Sequence, residues 1–338
     1  MKRLAHRVLK LLTDGEFHSG EALARALEVS RASVWQAVGE LTAAGLELYR
    51  VRGRGYRLRE PLSLLDRGQI ERRLGPLAGR FALEIVESVE STNTLLMQRA
   101  PAGASQATVI AAEWQSGGRG RHGRPWHAGI GGALTFSLLW RFAQGAGSLA
   151  GLSLAVGVAL ARALDKLGVA GAGLKWPNDV VWRGRKLAGI LIEMQGDALG
   201  PGLAVIGIGL NVRLSDAVRT RIDQEATDLE TACGRLLDRN EVLALLLAEL
   251  WNVLEAFARE GFAPLRSEWE RRHAHRDRRV TVILPDARRE SGVARGVAED
   301  GALLVETRAG VRRYHSGEIN LRPGKPVMGN GKRVMGNG

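Results

Sequence analysis

Apolar residues recur at helical spacing at the start of the chain. Leu4, Val8, Leu11 and Leu12 fall at i, i+4, i+7 and i+8, one face of a helix ending near Asp14-Gly15. A second helix is expected after Ser19, burying Leu23 and Leu27, and a third after Ser30, burying Val34, Val38 and Leu41 and ending by Gly45. Leu46 to Arg59 then holds two extended stretches around Gly53-Arg54-Gly55, the pattern of a hairpin, closed by Pro61. Three short helices and a hairpin over residues 1–60 predict a winged helix-turn-helix.

From Leu62 to Trp269 strand-like and helix-like segments alternate. Phe81–Glu87, Ala107–Gln115, Ala133–Trp140, Ala188–Met194 and Leu203–Val212 have strand character, and Thr92–Ala100, Leu149–Leu167 and Glu241–Arg259 have helical period. The economical layout for residues 61–272 is α+β, with helices on one face of a mixed or mainly antiparallel sheet. Beyond Arg278 short apolar stretches alternate with turn signals at Pro285-Asp286, Glu299-Asp-Gly301 and Ala309-Gly310. Residues 273–323 are therefore expected to form a small SH3-like β-barrel. The repeated Val-Met-Gly-Asn-Gly of residues 324–338 predicts a disordered tail.

The 338 residues suffice for two or three cores, and 45% hydrophobic with 25% charged residues is a globular composition. No apolar run reaches the roughly 18 residues of a membrane span. Lys2, Arg3, Arg7 and Lys10 lead into a polar turn and not a cleavage site, so a cytoplasmic protein without membrane partners is expected. Cys233 is the single cysteine, which excludes an intramolecular disulfide and a thiolate-rich zinc site. The net charge of +12 favours polyanions, although a general preference for arginine would raise it too. Position sharpens the picture. Arg31, Ser33 and Gln36 fall near the start of the third helix, where a recognition helix meets base edges. Arg50, Arg52, Arg54, Arg57 and Arg59 lie along the hairpin, in reach of phosphates; Arg52 and Arg54 flank its tip. A three-helix module for protein contacts, its arginines solvated, is the alternative.

The densest chemistry lies in Gly117-Gly-Arg-Gly-Arg-His-Gly-Arg-Pro-Trp126. Gly118-x-Gly120-x-x-Gly123 matches a dinucleotide fingerprint literally, but Pro125 and a strand follow where that fingerprint needs a helix. Glycines that let backbone fold around a ligand, with Arg119, Arg121 and Arg124 as donors to carboxylate or phosphate oxygens, fit better. Three more segments are dense: Lys175-Trp-Pro-Asn-Asp179, Lys186-Leu-Ala-Gly189, and Gly207-Ile-Gly-Leu-Asn211, whose terminal amide could bond an adenine edge.

With Ser91-Thr92-Asn93 upstream, these segments resemble the biotin protein ligases, in the bifunctional form that joins ligase and biotin operon repressor. The resemblance runs from the winged head to Gly317-Glu-Ile-Asn-Leu-Arg322. It implies that Ser91, Thr92, Asn93 and Gln115 meet the biotin ring system, that Arg119, Gly120 and Arg121 grip ligand, and that Lys186 lies by the biotin carboxylate and the α-phosphate. It places Arg121, Arg124, Trp126, Lys175, Lys186 and Asn211 on the ATP side, and makes Lys186, Arg121, Arg119 and Asp179 the catalytic set. It further implies ATP with substrate-borne Mg²⁺, biotin as substrate, a biotin carboxyl carrier domain of acetyl-CoA carboxylase and operator DNA as partners, and a homodimer when adenylate is bound. No protein-held metal site is expected. His122 departs from the family, which commonly has a basic residue there, and Pro125 follows close behind. Plainer roles stay open: Ser91 or Thr92 as helix cap, Trp126 and Trp176 as packing, Asp179 as an organiser of its own loop. A lipoate-type ligase, or a ligand-sensing repressor without ligase activity, are the competing functions.

Overall fold

The computed structural model describes residues 3–60, 62–143, 145, 149–196, 200–284, 288–315 and 320–323. Pro61, the Pro285-Asp286 turn, the start of the Gly317–Arg322 segment and the 324–338 tail lie outside them.

In the head, α1 (Arg3–Leu12), α2 (Gly20–Leu27) and α3 (Arg31–Ala43) precede the hairpin β1 (Leu48–Val51) and β2 (Gly55–Leu58). Ser19 Oγ accepts from Ala22 N and Ser30 Oγ from Ser33 N, so each hydroxyl caps the helix that follows it. The buried stripe of α1 is Ala5, Val8, Leu9 and Leu12, while Leu4 and Leu11 are only half-buried. Leucine spacing alone misplaced this face by a fraction of a turn, because Ala5 and Leu9 lie between the flanking leucines. The wing is tied to α2 through His18, which pairs with Tyr56 (N to O, 2.9 Å). Gly55 makes that approach possible: at φ 102° its Cβ would lie 2.0 Å from His18 O.

The next part is built on seven strands: β3 (Ala82–Val86), β4 (Thr108–Ala112), β5 (Ala133–Phe142), β6 (Ala172–Lys175), β7 (Asp179–Trp182), β8 (Arg185–Gly196) and β9 (Gly202–Asn211). Their order is β3-β4-β5-β9-β8-β7-β6. Only β3 and β4 run parallel, so the sheet is mixed as expected. Alternation along β5 sends Leu134, Phe136 and Leu138 into the core formed with α6 (Leu152–Lys166) and α9 (Arg239–Glu260). The intervening positions Thr135, Ser137 and Leu139 face the other way. On that side α5 (Thr92–Arg99) packs Leu96 against Ile110, Leu139 and Val205. Helices therefore lie on both faces, not on one as the α+β pattern suggested. The second face is the one that carries the polar residues described below.

The linker out of the head is pinned. Arg239 and Glu113 form an ion pair at 2.6 Å with both side chains 2% exposed. Arg239 also donates to Ser63 O and Ala133 O, Glu113 accepts from Leu65 N, and Asn240 bonds Asp66 N and Leu64 O. These bonds run into α4 (Arg67–Leu74), whose N-cap is Asp66. Ile130 packs into the head's own apolar cluster, with Leu62, Leu64 and Trp114 at its margin.

Short helices α7 (Asp216–Arg219) and α8 (Leu229–Cys233) follow β9, and α10 (Ala263–Arg271) leads to the last sheet. That sheet holds β10 (Arg279–Ile283), β11 (Arg289–Val297), β12 (Leu303–Thr307), β13 (Gly310–Tyr314) and β14 (Asn320–Pro323), all antiparallel in the order β13-β12-β11-β10-β14. Val280, Val282, Val297 and Leu303 join the same apolar cluster as α6 and α9, and Trp176 Nε1 donates to Gly301 O at 3.0 Å. This small β unit is fused to the large one through packing.

Candidate active site

A cavity of about 470 Å³ opens on the α5 face of the sheet. Ser91, Thr92, Asn93, Gln115, Arg119, Gly120, Arg121, Arg124, Trp126, Lys175, Asp179 and Lys186 all line it, although they span nearly a hundred positions.

At one end the chain at Ser91 turns into α5, and Ser91 Oγ accepts from Thr94 N, so it caps the helix while lining the cavity. Thr92 donates through both N (2.7 Å) and Oγ1 (3.0 Å) to Gln115 Oε1. The fully buried Ser137 Oγ lies 2.7 Å from Thr92 Oγ1 and 2.5 Å from Asn93 Oδ1. Asn93 Nδ2 donates to Glu193 Oε2 at 2.8 Å. A continuous polar network thus sits where alternation would otherwise place apolar side chains. It is a surface suited to a ligand with several hydrogen-bonding atoms.

Residues 117–126 form a narrow hairpin over the cavity, with Gly120 N donating to Arg124 O (2.7 Å) and Trp126 N to Gly118 O (2.8 Å). No helix follows it. The tip is a tight turn at Arg121–Gly123 in which His122 adopts φ 57°. Arg119 donates to Thr94 Oγ1 at 2.7 Å and pairs with Glu193 at 2.9 Å. Burial holds the Arg121 guanidinium below its ordinary pKa; Asp179 opposes that shift and Arg124 adds to it.

Trp126 lies flat on the sheet because glycines leave room for it. A Cβ at Gly209 would fall 2.4 Å from its ring, and one at Gly189 3.3 Å. Lys186 Nζ stands 5.7 Å from the ring centroid and 2.8 Å from Asp179 Oδ1, with Lys175 Nζ 3.9 Å from Asp179 Oδ2. The Lys186 contact is an ion pair made off the hydrogen-bonding directions, so buried Asp179 Oδ1 has no hydrogen bond among the described residues. Five cations therefore converge on a cavity lined by the carboxylates Asp179 and Asp223. Such a site stabilises negative charge that develops on a bound molecule.

Asn211 departs from expectation. It is buried outside the cavity lining, and its Nδ2 donates to Thr227 O (2.9 Å) and Lys186 O (3.5 Å). Its amide braces the start of the strand that carries Lys186 against Thr227. The glycines of the same segment matter instead: a Cβ at Gly207 would fall 2.1 Å from Asn93 Oδ1. Ser137, Glu193 and these seats were missed; two glycines at i and i+2 in an apolar strand were the available signal.

On the head, Arg31, Gln36 and Arg52 are exposed. Ser33 is half-buried, and its Oγ lies 2.9 Å from Ser30 Oγ, so it reinforces the cap rather than projecting outward. Arg54 stacks over Phe17 at 4.2 Å. Trp35, unmarked by the sequence reading, is 65% exposed on α3.

Residues 4–57 match the family described as HTH domain, 85–211 the Biotin/lipoate A/B protein ligase family, and 275–322 the Biotin protein ligase C terminal domain. The chain is 39% identical to the bifunctional ligase/repressor BirA of Escherichia coli, covering 94% of this chain and 96% of that one. It is 35% identical to the biotin–[acetyl-CoA-carboxylase] ligase of Mycobacterium tuberculosis over 74% of this chain and 92% of that one. The biotin protein ligase of Aquifex aeolicus, solved with biotin and ATP, superposes with a TM-score of 0.61 at 28% identity, covering 72% of this chain and 99% of that one. With head, ligase and C-terminal units matched in one order along nearly the whole chain, the protein belongs to the bifunctional ligase/repressor BirA family.

Proposed function

We propose that the cavity activates biotin with ATP and passes it to a lysine of a biotin carboxyl carrier domain of acetyl-CoA carboxylase. The observation that carries this reading is the pairing, in one cavity, of the Thr92–Gln115–Asn93 polar end with the cationic end of Arg119, Arg121 and Lys186. The polar end suits a ureido group, and the cations suit a carboxylate meeting a triphosphate.

In the first step a biotin carboxylate oxygen attacks the α-phosphorus and pyrophosphate departs with the bonding pair. Lys186, Arg121 and Arg119 offset the charge on the reacting oxygens. Mg²⁺ enters as part of the nucleotide substrate, and Arg124, Trp126 and Lys175 form the nucleotide side. In the second step the carrier's lysine amine attacks the acyl carbon, AMP leaves, and Asp179 orients the amine and takes its proton. The Gly117–Trp126 hairpin, with Gly120 near its tip, keeps water from the acyl-adenylate.

The head, residues 1–60, binds operator DNA through Arg31, Gln36, Arg52 and Arg54. Residues 61–272 are assigned to the ligase and 273–323 to the C-terminal unit, a division supported by a seven-stranded sheet within the first and a five-stranded sheet within the second. Two heads on an inverted repeat require a homodimer, which adenylate binding favours. A cytoplasmic setting fits these substrates; among the described residues no helix is long and apolar enough to cross a membrane. Incubation with biotin, radiolabelled ATP and a carrier domain tests the reading. Biotinyl-adenylate followed by biotinylated lysine is expected, and adenylation of lipoate in preference to biotin overturns it.

A further inference from the structure

Glu193 lies on β8 outside the cavity lining, yet each of its oxygens holds a residue that lines it. Oε2 accepts from Asn93 Nδ2 at 2.8 Å and Oε1 from Arg119 Nη2 at 2.9 Å. Through Asn93 the carboxylate reaches Ser137, Thr92 and Gln115. Through Arg119 it reaches the hairpin, where Arg119 pairs with Pro125 across the strands. The second anchor of that guanidinium is Thr94, on the first turn of α5. The two anchors flank Arg119 and hold the hairpin stem against the sheet.

We infer that Glu193 is a positioning residue that fastens the hairpin over the cavity and couples its closure to the network at the polar end. The inference rests on the reading of the cavity as a biotin-activating site. A ligand at Thr92 and Gln115 fixes Ser137 and Asn93, and Asn93 in turn fixes the rotamer of Glu193. Arg119 then meets a carboxylate already in place, so less conformational freedom is lost when the hairpin seats. The pair is part-exposed, Arg119 38% and Glu193 29%, so its strength depends on ionic strength as well as geometry.

The test is release of preformed biotinyl-adenylate, measured by pulse-chase, beside the steady-state KM for biotin. Glu193→Gln keeps an acceptor for Asn93 and loses the charge facing Arg119. It is expected to leave the KM for biotin within about twofold while speeding adenylate release about tenfold, the scale of one charge-assisted hydrogen bond. Glu193→Ala loses both contacts and is expected to raise the KM as well. In an Arg119→Met background Glu193→Gln is expected to change release no further, whereas a general loosening of the fold would persist there. Release from Glu193→Gln at the wild-type rate, or an undiminished effect in the Arg119→Met background, overturns the inference alone. A wild-type protein that forms no biotinyl-adenylate overturns the functional reading and this inference together.

Discussion

Lys186 Nζ stands 2.8 Å from Asp179 Oδ1, the lysine on β8 and the carboxylate opening β7. In the proposed mechanism the pair places the group assigned to phosphate charge beside the group assigned to the incoming amine. Replacing each residue should separate the two steps. Lys186→Ala is expected to keep the fold and lower adenylate formation by about two to three orders of magnitude, as loss of one aligned donor does in other sites. Asp179→Asn should form adenylate near normally and slow its transfer to the carrier. Single-turnover assays of the two steps check this, and equal losses in both steps for Asp179→Asn would remove its assigned role.

Gly209→Ala puts a methyl where the Trp126 ring lies, 2.4 Å away. The indole must lift from the sheet, and the KM for ATP is expected to rise more than the KM for biotin. Gly207→Ala collides with Asn93 instead and should reverse that order. Parallel KM measurements on both variants decide whether the glycines seat two separate ends of the cavity.

Most of this architecture was legible in the chain. Cap residues Ser19 and Ser30, the β5 and β9 alternation and the cation-rich loop all appear in local sequence. What escaped had a long-range cause. Strands β6 and β7 are four residues each and flank a turn, so their period is too short to show. Asn211 and Ser33 looked available because their hydrogen-bond partners, Thr227 O and Ser30 Oγ, cannot be assigned from residue type. Glu193 was silent for a related reason: a carboxylate near the end of a strand gains meaning only once Asn93 and Arg119 reach it.

Acid should loosen the junction between the two large sheets, where residues 272–274 bond Leu174 on β6. His273 is held down to about 3, by burial first and then by His275 and Arg276, and His275 to about 4, by burial and then by Lys175. Among the described residues His273 has no hydrogen bond at either ring nitrogen. The unfolded chain takes up these protons near the ordinary histidine value of 6.5, the folded one only at the lower values. Stability from the neutral rings is thus complete above about pH 6.5 and falls as pH drops toward 4 and then 3. His273→Phe is expected to flatten the pH dependence of denaturant unfolding between pH 7 and 4; an unchanged slope would exclude the histidine as its source.

Breaking the Glu113–Arg239 pair leaves one buried charge without its counter-ion. Glu113→Gln is expected to destabilise the protein by about 3 kcal/mol or more. Chemical denaturation measures this, and a loss under about 1 kcal/mol would mean that water or Ser63 O compensates the arginine.

Ile130 belongs to the ligase sequence yet is buried in the apolar cluster of the head, beside Leu62 and Trp114. A winged module on a free tether would melt on its own, ahead of the enzyme. Shared burial makes the head part of the same cooperative unit, so heating is expected to give one calorimetric transition for the intact chain. It also means that a shortened form starting after residue 60 would carry a freshly uncovered oily patch. Its solubility would then depend on replacing Ile130, and acquiring a free-standing ligase from such a chain takes a surface change as well as a deletion.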